Sequence, residues 1–189
     1  MKSSFGLALL VLTALTLAGC NHSEMSMADM KAPERPAELD QLEPLLGHWE
    51  GTWECSMPGM DQPIKGVGTN VVSWEADRWV LVERMSGDMG EMGKFSGIGV
   101  WTWNPKRGCF DNWWYDSWGS TGHGTATYDA ATRTWKTKGQ STDPMTGEMK
   151  QGEGTMKILP GGKMEWTYAE RDVLGRAKGM EMKGTSVRK

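Results

Sequence analysis

The sequence predicts an all-β fold: a single antiparallel up-and-down barrel of about ten strands, with a short N-terminal capping helix. Three observations predict it. Ten short β-prone runs follow one another from His48 to the carboxyl terminus, with no helical period between them. The links between runs are tight turns, which makes neighbours in sequence neighbours in the sheet. Glycines fall inside the runs, as at Gly66, Gly68, Gly97, Gly99, Gly152 and Gly154. They weaken a flat strand but suit the bends of a closed ring. Ring closure also removes both sheet edges. The competing architecture is an open two-sheet sandwich, whose crossovers need longer links than these.

In chain order, residues 1–19 carry one basic residue, an apolar run from Phe5 to Leu17 and small residues before Cys20. That is the pattern of a secretory signal, too short to span a membrane as a helix. Leu17-Ala18-Gly19-Cys20 resembles a bacterial lipoprotein box, in which Cys20 is lipidated and becomes the mature amino terminus; an ordinary signal with a chance cysteine is the plainer alternative. Asn21 rather than Asp at the next position favours the outer membrane, with the protein facing the periplasm of a Gram-negative cell. Residues 20–37 are rich in Met, Ser, Pro and charge and read as a flexible tether. The remaining 38–189 suffice for one domain with one core.

Residues 38–46 place Leu39, Leu42 and Leu46 on one stripe, a short helix weakened by Pro44, ended by Gly47 and suited to plugging one end of the barrel. The ten strand runs are 48–57, 65–74, 78–86, 94–103, 109–117, 121–128, 133–139, 148–159, 163–170 and 176–187. The fourth and fifth form the organising hairpin. Asn104-Pro105 opens its turn and Gly108 takes the left-handed position at the exit. Strand periodicity then puts Phe95, Trp101 and Trp103 on one face, and Phe110, Trp114, Asp116 and Trp118 on one face of the returning strand.

Several segments are familiar together. Leu45-Leu-Gly-His-Trp-Glu-Gly51, Phe95-Ser-Gly-Ile-Gly99, Trp114-Tyr-Asp-Ser-Trp-Gly-Ser120, Asp143-Pro-Met-Thr-Gly147 and Met180-Glu-Met-Lys-Gly-Thr-Ser-Val-Arg188 resemble the family called domain of unknown function 1579. The resemblance implies a calycin-like (lipocalin-like) barrel and implies no reaction. Trp103-Asn104 stands where that family tends to have Tyr-Asp, and Trp118 where it tends to have Met, so this chain carries extra aromatic bulk. Haem-binding calycins use an axial His near the carboxyl terminus, a position without His here, and no cofactor is expected.

The chain holds 11 Trp against 3 Phe and 3 Tyr. Trp offers a broad apolar face and one N–H donor, so a lumen lined with it can grip and orient a flat or apolar ligand. The expected inward set is Phe95, Trp101, Trp103, Phe110, Trp114 and Trp118, joined by Met156, Trp166, Met180 and Met182, with Met supplying adaptability. The alternative is that these side chains simply fill the lumen. Asp116 shares their face and must be paired or hydrogen-bonded. Arg78, Arg84, Trp N–H groups and backbone are the candidate partners, and the carboxylate either orients a ligand or is structural.

Catalytic patterns are absent from the sequence. His48 and His123 belong to opposite barrel ends, so neither a Ser-His-Asp set nor a His-rich zinc site is supported. Asp111 and Asp116 lie on opposite strand faces and cannot flank one glycosidic bond. Cys55 and Cys109 belong near opposite rims, too far apart for a disulfide. Met25, Met27 and Met30, with Met89 and Met92, are soft thioether donors at short spacing, which raises copper or silver handling as an alternative function. Net charge is −3, with basic and acidic residues interspersed, which argues against a nucleic-acid partner. The function expected is therefore non-catalytic binding of a small apolar or aromatic molecule by a membrane-anchored lipoprotein. A structural or partner-binding lipoprotein with a filled barrel is the third reading, its protein partner unknown.

Overall fold

Tight turns between β-prone runs leave an extended chain one economical arrangement: each strand pairs with the one before it until the last meets the first. The computed structural model describes residues 31–189 and has this arrangement. The signal segment, Cys20 and the methionines of the tether lie outside the described residues. A compact unit runs from Arg35 to Lys189.

Ten antiparallel strands form one closed barrel, in the order β1 (Gly47–Ser56), β2 (Ile64–Glu75), β3 (Val80–Asp88), β4 (Lys94–Asn104), β5 (Cys109–Asp116), β6 (Thr121–Asp129), β7 (Thr134–Thr142), β8 (Met149–Leu159), β9 (Lys163–Asp172) and β10 (Lys178–Arg188). The seam joins β1 to β10, from Trp49 opposite Arg188 to Ser56 opposite Glu181. The strands match the expected runs to within a few residues, and the ring excludes the sandwich.

Directly opposed residues share a face, so the register fixes the interior. Trp101 faces Leu81 and Asn112, Gly97 faces Met85 and Asp116, and Met156 faces Trp135 and Trp166. The β4–β5 turn is the one the sequence predicts. The Gly108 N–H donates to the Asn104 carbonyl at 2.9 Å, with Gly108 at φ +61°. The β2–β3 turn is less ordinary: Ala76, Asp77 and Arg78 take φ values of 48°, 53° and 68°. A left-handed run disfavours L-residues by about 1–2 kcal/mol each, and here it directs Arg78 back onto the helix.

That helix spans Ala37–Leu45 and is 3₁₀ throughout. Its buried residues are Leu39, Leu42 and Leu45. The spacing of three is that of a 3₁₀ helix, in which i and i+3 eclipse, so Leu45 rather than Leu46 completes the stripe. Pro44 lacks the N–H an interior helical position would use, which suits the short 3₁₀ form.

Candidate functional site

The helix divides the lumen into two unlike halves. Beneath it the inward side chains are apolar, large and out of solvent: Trp49, Leu81, Phe110 and Trp135 are each at most 1% exposed. They pack with Leu39, Leu42, Leu45, Val72, Trp101, Ile158 and Met164 into one cluster. A void there measures about 10 Å³, close to the least that one water needs.

Polar atoms tie the plug down. Trp49 Nε1 donates to the Leu45 carbonyl at 2.8 Å, and Trp74 Nε1 donates to Glu43 Oε1 at 3.1 Å. Arg78 pairs with Glu43, while Arg188 donates to the Pro44 carbonyl and lies 4.6 Å over the Trp49 ring. This end is a sealed floor.

The other half is built differently. Facing inward toward the mouth are Trp53, Cys55, Met85, Phe95, Trp114, Trp166, Tyr168, Met180 and Met182, and of these only Trp53 and Cys55 are buried. Partly exposed inward side chains on a closed ring mean that solvent enters at this end. The aromatics also lie flat against the wall instead of crossing the lumen, because glycine stands where each ring rests. A Cβ at Gly97 would collide with the Trp114 indole, and one at Gly152 with the Tyr168 ring; at Gly184 it would come within 2.5 Å of Trp166, and at Gly87 within 2.6 Å of Trp53. The strand glycines of the sequence therefore seat aromatic rings as well as bending the sheet.

Polar groups sit at defined points of this half. Glu83, near the floor, accepts from Asn70 Nδ2 and Trp101 Nε1, each at 3.0 Å. On one wall Ser141 Oγ and the Tyr168 hydroxyl both donate to Glu170 Oε1, at 3.0 and 3.1 Å. Burial, with a smaller push from the Glu170 carboxylate, raises the Tyr168 hydroxyl well above the ordinary phenol range, and it raises the Cys55 thiol in the same way. On the opposite wall Asp116 accepts from Trp114 Nε1 at 3.0 Å and from the backbone N–H groups of Trp118 and Ser120 at 3.0 and 3.1 Å. Arg78 and Arg84 are engaged elsewhere, with Glu43 and Glu75. A carboxylate so supplied with donors needs no counter-cation.

The structure sorts the residues singled out in the sequence into two groups. Trp101, Trp103, Phe110 and Met156 belong to the floor, where Phe110 is fully buried and packs 5.1 Å from Trp103 between ring centroids. Phe95, Trp114, Asp116, Trp118, Met180 and Met182 stand toward the mouth, with Trp118 at the rim 5.8 Å from Phe95. Trp166 touches both clusters. Sequence reasoning missed Trp53, Cys55, Glu83, Ser141, Tyr168 and Glu170. Leu81 and Val82 are both buried at the head of β3, so alternation there gives no clue to which way Glu83 points.

Among the described residues no three of His, Cys, Asp and Glu gather to hold a metal ion. Cys55 and Cys109 are both free thiols, on strand ends at opposite poles of the barrel. His123 lies on the outer face, stacked on Trp113 at 5.1 Å.

The crystal structure of Rv2717c from M. tuberculosis superposes with a TM-score of 0.65 at 18% identity, covering 82% of this chain and 99% of that one. The S-type phycobiliprotein lyase CPES from Guillardia theta superposes with a TM-score of 0.55 at 11% identity, covering 82% and 94%. At such identities the likeness is one of fold. No curated protein sequence matches the chain. The profile of the family described as "Protein of unknown function (DUF1579)" matches residues 34–183, and the chain, a calycin-like barrel with a sealed floor and an accessible aromatic half, belongs to that family.

Proposed function

We propose that this protein is a lipid-anchored envelope protein, tethered through Cys20, that binds a small apolar or aromatic molecule non-covalently in the mouth half of its barrel. One observation carries the reading: the inward Trp114, Trp166, Phe95 and Met182 remain reachable by solvent while the inward side chains of the floor do not. Flat rings laid on glycines present a face suited to a flat guest, and Trp and Met supply broad, adaptable apolar contact. The lumen's own polar groups refine the class of ligand. Glu83, Asp116 and Glu170 are acceptors, whereas the inward Lys150 is held by Glu148 at 2.6 Å. A neutral or cationic guest with a hydrogen-bond donor suits that lining better than an anionic one.

The test is quenching of Trp fluorescence, and displacement of a solvatochromic dye, by a panel of neutral, cationic and anionic aromatic probes and by fatty acids. Neutral or cationic aromatics are expected to bind most tightly, and Trp114→Ala to weaken them by about tenfold, as loss of one stacking partner does. Equal binding by Trp114→Ala would remove the mouth as the site. No binding by any probe would leave a structural barrel instead. The anchor is tested separately by the intact mass of the mature amino terminus: a diacylglyceryl and acyl addition on Cys20 is expected, and an unmodified terminus overturns it.

A further inference from the structure

The apolar side chains of the two halves differ in kind as well as exposure. Besides its aromatics the floor is mostly hydrocarbon, from Leu39, Leu42, Leu45, Val72, Leu81 and Ile158, with Met156 and Met164 its two thioethers. Besides its own aromatics and Ile64 the mouth is mostly sulfur. Cys55 and Met89 are buried there, and Met57, Met85, Met180 and Met182 pack against them. Further out, three separate rim loops carry the exposed thioethers of Met60, Met92 and Met145. Exposure of the sulfur side chains therefore falls from Met145 at 92% through the half-buried ring to Met89 at 4% and Cys55 at 0%.

A hydrophobic core has no need of such a gradient, since Leu fills space as well and is the choice at the floor. Thioether and thiolate sulfur do share one property that hydrocarbon lacks: they are soft donors that select monovalent coinage-metal ions over hard cations. Cys55 is the direct cross-strand partner of Met182, which puts their Cβ atoms about 4.5–5.5 Å apart on the lumen face. Met180, at the β-bulge of β10, packs against the same cluster.

We infer that the mouth is a soft-metal site for Cu(I) or Ag(I), with Cys55 and Met182 as its core and the rim methionines as its entry path. On binding, the Cys55 Sγ–H bond breaks, its proton leaves to solvent and an Sγ–metal bond forms. Lone pairs of Met182 and the neighbouring thioethers complete the coordination, and no electron changes hands. The inference shares Met182 with the aromatic-ligand reading but rests on sulfur and not on Trp114, so the two can hold or fail separately.

The experiment uses the full chain with Cys20 and Cys109 changed to Ser and Met25, Met27 and Met30 changed to Leu, so that the barrel mouth supplies the sulfur. Ag(I) is titrated calorimetrically and by native mass spectrometry, and Cu(I) by anaerobic competition with a chromogenic chelator. One ion per chain is expected, and Met180→Leu with Met182→Leu is expected to weaken it at least tenfold with folding intact, since Leu and Met are near in volume. Cys55→Ser is expected to abolish it. Absence of stoichiometric binding overturns the inference. So does affinity unchanged in the double Leu variant, which would mean a bare thiol acting alone, or Zn(II) binding as tightly as Ag(I).

Discussion

The two halves of this lumen use the same residue type to opposite ends. At the floor, Trp49 and Trp135 are completely enclosed, and the Trp49 N–H is spent on the helix, at the Leu45 carbonyl. Toward the mouth, indoles lie on glycine and keep a face open, as Trp114 does on Gly97, with the N–H directed to a wall carboxylate. The difference teaches that tryptophan content says nothing by itself about binding. What leaves the Trp114 ring flat on the wall is that the neighbouring strand offers a glycine to rest on in place of a side chain to interlock with.

The sharpest way to break the comparison is truncation. Trp135→Ala at the floor is expected to lose about 3–5 kcal/mol in urea denaturation, the usual result for a fully buried large aromatic. Trp114→Ala, half-buried on glycine, is expected to lose clearly less while losing probe affinity; equal losses would mean that the mouth is packed like the floor. Next in size is Gly97→Ala, whose new methyl would push the Trp114 ring into the lumen, at a cost of about 1–3 kcal/mol. It should shift Trp fluorescence and weaken probe binding, and an unchanged spectrum would show that the ring does not rest there.

Smaller effects come from titration. Asp129 is held below the ordinary carboxylate range chiefly by Thr132, Asp143 by the Thr146 N–H, and Asp172 by the Arg176 N–H. A carboxyl whose folded pKa lies below its unfolded value, about 3.9, stabilises the fold above that value and loses its contribution as pH falls through the folded pKa. Thermal stability should therefore decline below about pH 4. The three Asp→Asn variants should be less stable than the parent at pH 7, with the gap closing in acid; a gap independent of pH would show that these turns hold no ionised carboxyl. Smallest is the Tyr168 signal. Its raised phenol should ionise only as the protein unfolds in strong alkali, and Tyr168→Phe should remove that last absorbance change; its persistence in the variant would reassign it.

Much of the barrel was legible because the information is local. Tight turns such as 104–108 and 143–147 dictate hairpins, and an unbroken alternation across β4 and β5 fixes which residues of that hairpin face inward. The division of the lumen was not legible. Which inward residues meet the helix depends on how strands far apart in the chain, from Trp49 to Met164, align around the ring, so Trp101 and Trp114 look equivalent in sequence and are not. Single interior polar residues were equally hidden. Glu83 follows Val80-Leu81-Val82, and Glu170 belongs to a strand whose outward positions are also charged, so neither announces its side.

The β1–β10 seam, described above as a register, also sets an order of events. Its partners are separated by well over a hundred positions, as Trp49 and Arg188 are, and the penultimate arginine reaches the Pro44 carbonyl beside the plug. Contacts so distant along the chain must form late and slowly. Until they form, the first and last strands expose unpaired backbone to any neighbouring chain. A polypeptide of this design is most vulnerable to misassociation just before its ends meet, and the final few residues act as the latch that ends that exposure.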